Sequence, residues 1–475
     1  MRTLLSLLVV VSAAACGDDG VNRLPDAPPL PPDAGELEPV TLTITDGDEP
    51  RAGVTVLFQN ADSSLVERAV TNSEGVASAR MAAGGFVTAV DPFASPVLPE
   101  LGGSGGGGRY PDDLRTFAGV KPGDALKLSR DGGSSYITVN VVVPIAPNAA
   151  SYYLWTTCGQ GDVSGGGGSG SGGSGSGSPG GSFELVNCGA TMDAVLTTRG
   201  FGGELQSSLA KTNLAVEDGM NVDFTDGEYQ DVQQLALAYT NIPDGITVLD
   251  MRYQQLTARG ALFDSFTAAD VTANAVSVTL ARPAVPGATS LLATTFYNGG
   301  RSRHGVADWG QIDTYEFNVA NTLLEEISTF PQFDAATGTY SWTASAGAKP
   351  DFSISSTYVA RDDQKTSFGW RWELVAPYAE SRISFPVLPG DEAELNPRAS
   401  DQVYLDDLIL IKAPGGYDAV RETALTPSPL PPFAGRTGRL VVQMLAFNDT
   451  LTRRAAPHQP SANFLPAPVR RVRAR

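Results

Sequence analysis

Val40-Thr41-Leu42-Thr43-Ile44 and Val54-Thr55-Val56-Leu57-Phe58 decide the fold. In both, large apolar side chains return at every second position. Successive side chains of an extended chain point to opposite faces, so a period of two marks a strand with one face hidden and the other wet. Asp46-Gly47-Asp48 turns the chain between the two runs. Thr71-Asn72-Ser73-Glu74-Gly75 turns it again before Val76 to Met81 and Phe86-Val87-Thr88-Ala89-Val90. Alternating runs joined by short turns pair antiparallel. The pattern recurs at Ile137, Val139, Val141 and Val143, at Leu235 to Tyr239, at Val276 to Leu280, at Ile354 to Val359 and at Trp370 to Val375. Thr322 to Ile327 is expected to make one or two helical turns and no more. The fold class is therefore all-β: tandem antiparallel sandwiches behind a flexible N-terminus.

The chain has 475 residues, which at about 150 residues per domain suggests three domains, or four if they are small. Charged residues make up 18% and hydrophobic ones 42%, a balance that supports packed cores. With 52 acidic against 33 basic side chains the formal charge is −19, a field that repels nucleic acid and anionic membrane surfaces. Nucleic acid is excluded as a partner. A nine-residue template, apolar positions around a Gly turn, appears at 120–128, 216–224 and 387–395, and at each the glycine is expected to reverse the chain into a strand.

The segment 39–92, with Gly53-Val54-Thr55-Val56, Thr71-Asn72-Ser73-Glu74-Gly75 and Gly85-Phe86-Val87-Thr88-Ala89-Val90, resembles carboxypeptidase regulatory-like and bacterial Ig-like modules. That resemblance implies a β-sandwich without catalytic residues. The Tyr340-Ser341-Trp342-Thr343 strand is similar to the opening of fibronectin type III domains. The expected organisation is a signal peptide 1–15, a Pro/Asp-rich linker 16–38, a sandwich at 39–130 and a second at 135–230 with a Gly/Ser insert at 165–182. A third sandwich at 231–330, a fibronectin-III-like one at 331–460 and a basic tail at 461–475 complete it.

Arg2 and the apolar run Leu4 to Ala15 form an export signal, since a spanning helix needs roughly 20 apolar residues. Ser12-Ala13-Ala14-Ala15-Cys16-Gly17 resembles the lipobox of bacterial lipoproteins. The resemblance implies acylation of Cys16, membrane lipid as a partner through that residue, and a cell-envelope location. Gly17 follows the cysteine in place of the aspartate that signals inner-membrane retention, so the outer membrane is expected. The competing reading is a plain signal peptide with Cys16 incidental. Two cysteines remain, Cys158 and Cys188, and two thiols in an oxidising compartment are expected to pair across the Gly/Ser insert.

Each candidate for chemistry stands beside a plainer reading. Ser302, His304 and Asp308 have the residue types of a hydrolytic trio, but residues so close in a Gly-rich stretch rarely converge, and a solvated loop is expected. The other histidine, His458, is read as solvated near the terminus. Gly102 to Gly108 satisfies nucleophile-elbow and dinucleotide patterns without the required strand and helix, so it is read as low complexity. Asp218, Asp223, Asp226 and Glu228 are oxygen donors of the kind Ca²⁺ takes; solvated turn acids are the plainer reading, and no cofactor beyond a possible Ca²⁺ is expected. Trp370 and Trp372 share one strand face and form either a core stripe or a solvent-facing platform for sugar rings or proline segments. The resulting expectation is a non-catalytic envelope lipoprotein whose sandwiches bind an envelope protein or glycan, or act as a spacer. A secreted hydrolase on carbohydrate or peptide, with an unrecognised carboxylate site, is the first alternative. An accessory subunit of an outer-membrane assembly is the second.

Overall fold

Strands from Thr55 to Ala446 align into one twelve-stranded sheet in the computed structural model of the chain. The structure describes residues 37–47, 49–93, 113–130, 136–163, 180–297, 302–362, 367–425 and 438–446. The chain divides into two compact units, residues 1–37 and 38–475, and the strands and short helices of the described residues all belong to the second. Cys16, the Gly-rich 102–108 stretch, His458 and the 461–475 tail lie outside the described residues.

Across the large sheet the strands run Gly260–Asp270, Val248–Thr257, Thr289–Tyr297, Ser302–Gly310, Gly438–Ala446, Gln402–Lys412 and Phe352–Asp362. Ser367–Pro377, Asp113–Val120, Gly85–Val90, Thr55–Gln59 and Leu65–Val70 follow. Neighbours are antiparallel except at one seam, where Arg371–Val375 pairs parallel with Asp113–Phe117. Both faces are buried along much of this sheet, and the sequence records it at Leu408-Ile409-Leu410-Ile411, an unbroken apolar run. Leu408 and Leu410 join one core, while Ile409 and Ile411 join the other.

The first core packs Leu57, Leu114, Trp370, Trp372 and Phe296 of the sheet with Leu235, Leu237 and Tyr239 of a three-stranded sheet, Gln233–Thr240 between Val276–Arg282 and Thr314–Asn318. Tyr340 and Ile383, from the small sheet of Gln332–Asp334, Thr339–Ser341 and Arg382–Ser384, extend it. On the other face Phe58, Phe117 and Ile354 meet Val40, Leu42 and Ile44, in the sheet that joins Val40–Asp46 to Val76–Ala79 and Ala125–Arg130. A third core, with Val139, Leu154, Phe183 and Leu196, lies within a sandwich of a five-stranded and a three-stranded sheet between Tyr136 and Asp231.

The all-β class and the sandwich packing are what the period-two pattern predicts. The ranges 39–130, 231–330 and 331–460, expected as separate sandwiches, contribute strands to one sheet, whereas 135–230 keeps a core of its own. Alternation says which face a side chain takes, not which strand lies alongside. Two local expectations are corrected. Residues 322–327 form no helix; Leu324 and Ile327 make β-bridges to Ala348 and Ala344, which take up their backbone groups instead. The Gly-turn template leads into strands after Gly123 and Gly219, both with positive φ, but after Gly390 the chain enters the 3-10 turn Gly390–Leu395.

Candidate functional site

Trp370 and Trp372 do share a face, and that face is the buried one: they are 0% and 1% exposed. Trp372 Nε1 donates to Thr116 Oγ1 at 2.9 Å, its ring meets Phe385 edge-on at 4.9 Å, and the Arg361 guanidinium lies 5.0 Å over Trp370. The proposed solvent-facing indole platform is therefore corrected to a core stripe, because the first core claims that side of the strand.

Parity then turns the residue between them, Arg371, to the opposite face. There the register aligns Tyr404 with Tyr358, Tyr358 with Arg371, and Arg371 with Asp113. Directly opposed residues project to the same side, and at about 4.8 Å between strands this row is about 14 Å long. The Tyr358 and Tyr404 rings stand 6.4 Å apart and are inclined by only 24°. Tyr358 is 40% exposed. Its hydroxyl end lies over Gly369, where any side chain would collide with it. Tyr404 Oη donates to Gln402 Oε1 at 2.5 Å, and Arg371 Nη2 donates to Asp406 Oδ2 at 3.2 Å. One row further along, Asp407, Ser356, Glu373 and Arg115 are in register, with Arg115 paired to Glu373 and to Asp113 Oδ2 at 2.9 Å. Burial raises the Asp407 carboxyl above its usual range, with the charge of Asp406 adding and Arg371 opposing. The arrangement is a strip of two aromatic faces bordered by a guanidinium and carboxylates.

A cleft of about 470 Å³ lies between the disulfide sandwich and the Pro283–Gly287 turn region, lined by Leu209, Gly227, Glu228, Gln230, Gln233 and Val285 among others. Glu228 is the one carboxylate in that lining. The other calcium candidates are occupied elsewhere. Asp218 Oδ1 accepts from the Thr138 amide at 2.7 Å, Asp223 Oδ1 from the Thr225 amide at 2.8 Å, and Asp226 pairs with Lys211 at 2.6 Å. Among the described residues no three His, Cys, Asp or Glu side chains gather as metal ligands.

The expected solvated loop around His304 is also corrected. His304 and Asp308 lie on the strand Ser302–Gly310, and His304 is 5% exposed. At about 3.3 Å per residue the two are about 13 Å apart, beyond any proton relay. Asp308 instead accepts from Tyr315 Oη and from Arg439 Nε at 2.6 Å. Burial alone lowers the His304 imidazole to about 4. Cys158 and Cys188 form a disulfide with Cα atoms 5.2 Å apart, at the base of the Gly/Ser insert.

No protein-family profile and no curated protein matches the chain. Among solved structures it is similar to the Bacillus anthracis TIE protein, with 10% identity and a TM-score of 0.13 over 59% of this chain and 50% of that one. It is also similar to BcpA, the major pilin subunit of Bacillus cereus, with 10% identity and a TM-score of 0.14 over 59% of this chain and 98% of that one. The chain thus spans about half the length of the TIE protein.

Sequence reasoning missed Tyr358 and Tyr404. The parity of Ile354-Ser355-Ser356-Thr357-Tyr358-Val359 already sets Tyr358 opposite in face to Val359, but Tyr404 is hidden by the extra residue Asp406 in Gln402–Lys412, which shifts it by one relative to Leu408 and Leu410.

Proposed function

We propose that the chain is a lipid-anchored envelope protein whose sandwich body is a non-catalytic binding element. The observation that carries this reading is the state of its buried acids. Among the described residues the buried acids Asp124, Asp193, Asp308, Glu325, Glu373 and Glu392 each have a basic partner, Arg421, Arg259, Arg439, Lys349, Arg115 and Arg68 in turn; Asp401 is held by Arg361, and Asp407, raised by burial, feels the opposing charge of Arg371. A general acid or nucleophile works from a cleft where its proton or lone pair is free to reach substrate. Carboxylates locked to basic groups between sheets hold structure instead.

The anchor reading rests on the lipobox-like Ala13-Ala14-Ala15-Cys16 and the Pro/Asp-rich spacer after it. Two or three acyl chains hold a protein to a bilayer where one does so only marginally. The carboxypeptidase regulatory-like resemblance at 39–92 and the fibronectin-like Trp342 strand agree with a binding or adhesion role, and an outer-membrane location follows from Gly17. Radiolabelled palmitate tests the anchor. Wild type takes up label and fractionates with membranes, while Cys16→Ser takes up none and is released. Label retained in Cys16→Ser overturns the anchor.

A further inference from the structure

We infer that the strip formed by Tyr358, Tyr404, Arg371 and Asp406 is a binding platform for a neutral or N-acetylated sugar chain. The inference rests on the binding reading above and names its ligand class. Two tyrosine rings stand in register and near-parallel, one of them 40% exposed, on strands whose neighbouring indoles, Trp370 and Trp372, point inward. The electron-rich face of an aromatic ring attracts the polarised C–H face of a pyranose, and two adjacent rings match successive sugar units. Next to the rings stand a five-donor guanidinium at Arg371 and acceptors at Asp406 and Asp407. Each sugar hydroxyl both donates and accepts, so vicinal hydroxyls satisfy donor and acceptor together. An extended proline-rich peptide presents mainly carbonyl acceptors, which suit Arg371 but bring few donors to Asp406 and Asp407. An anionic polysaccharide meets those carboxylates and a chain of formal charge −19.

The test is titration calorimetry of the full-length protein with short oligomers of glucose and of N-acetylglucosamine, beside oligogalacturonate as the anionic probe. Binding of a neutral probe is expected, weakened about tenfold by Tyr358→Ala and by Tyr404→Ala, and unchanged by Tyr136→Ala, an exposed tyrosine on the disulfide sandwich. Tyr358→Phe keeps the ring and is expected to keep the affinity, which separates stacking from misfolding. Binding of no neutral probe, equal affinity for oligogalacturonate, or affinity indifferent to both alanine variants overturns the platform. Release of reducing ends from a bound probe leaves the platform standing and overturns the non-catalytic reading instead.

Discussion

His304 carries a buried imidazole whose Nδ1 has no partner among the described residues, so nothing offsets its desolvation and its pKa falls to about 4. The unfolded chain protonates near the ordinary value of about 6.5, hence binds more protons than the native state between those limits. Stability is fully present above about pH 6.5 and is lost as pH falls toward 4, by on the order of 3 kcal/mol at the lower end. Urea titrations across that window are expected to show the slope in wild type and a flatter one in His304→Gln. Arg361 makes the opposite case, a charge that is buried and paired. Its Nε and Nη2 grip the Asp401 carboxylate at 2.8 and 2.5 Å, and its remaining donors reach the Glu394 and Asn396 carbonyls. Burial works to raise the Asp401 carboxyl, but Arg361 outweighs it and holds the group below its usual range. Asp401→Ala would strand that guanidinium, and a loss of about 3–5 kcal/mol in chemical denaturation is expected. Neither role is legible in the sequence. His304 reads as solvated because its neighbours Gly299, Gly300 and Gly305 are turn formers, and only the cross-strand partners Phe296 and Gln443 reveal a buried strand.

The elements themselves are largely readable. Runs such as 40–44, 55–58 and 137–142 fall on observed strands, because alternation is a local consequence of backbone pleat. Strand neighbours are not readable, since loop lengths in this chain do not restrict them and the one parallel seam of the large sheet joins segments about 250 positions apart. The disulfide follows from cysteine count and compartment. It ties the turn after Ser151–Thr156 to the segment between Gly180–Val186 and Thr191–Arg199, and so couples the two sheets of the third core. With its ends 30 positions apart, removing it in the Cys158→Ala/Cys188→Ala double variant is expected to cost about 3.5 kcal/mol in thermal or urea unfolding. Next to this sandwich, Arg259 at the tip of the Val248–Thr257/Gly260–Asp270 hairpin reaches Thr191, Asp193 and Asn213. Arg259→Ala is expected to destabilise this joint while leaving the Cys158–Cys188 bond intact, as read by proteolysis and thiol titration.

At the scale of the molecule, the large sheet makes the 39–130 range depend on residues far away in sequence. Asp113–Val120 takes one ladder from Gly85–Val90 and the other from Ser367–Pro377. Hydrogen exchange is therefore expected to show the amides of 113–117 and 371–375 opening together, at the free energy of the sheet and not of a separate N-terminal module. The same sheet decides the candidate site. A slip of one residue in Ser367–Pro377 would bring the indoles out, and a slip in Phe352–Asp362 would turn Tyr358 in. Hydroxyl-radical footprinting of the intact protein reads that choice directly. Rapid oxidation of Tyr358 and Tyr404 with protection of Trp370 and Trp372 is the result this register requires. Fast oxidation of the two tryptophans with the tyrosines protected would contradict it, and would remove the sugar platform along with it.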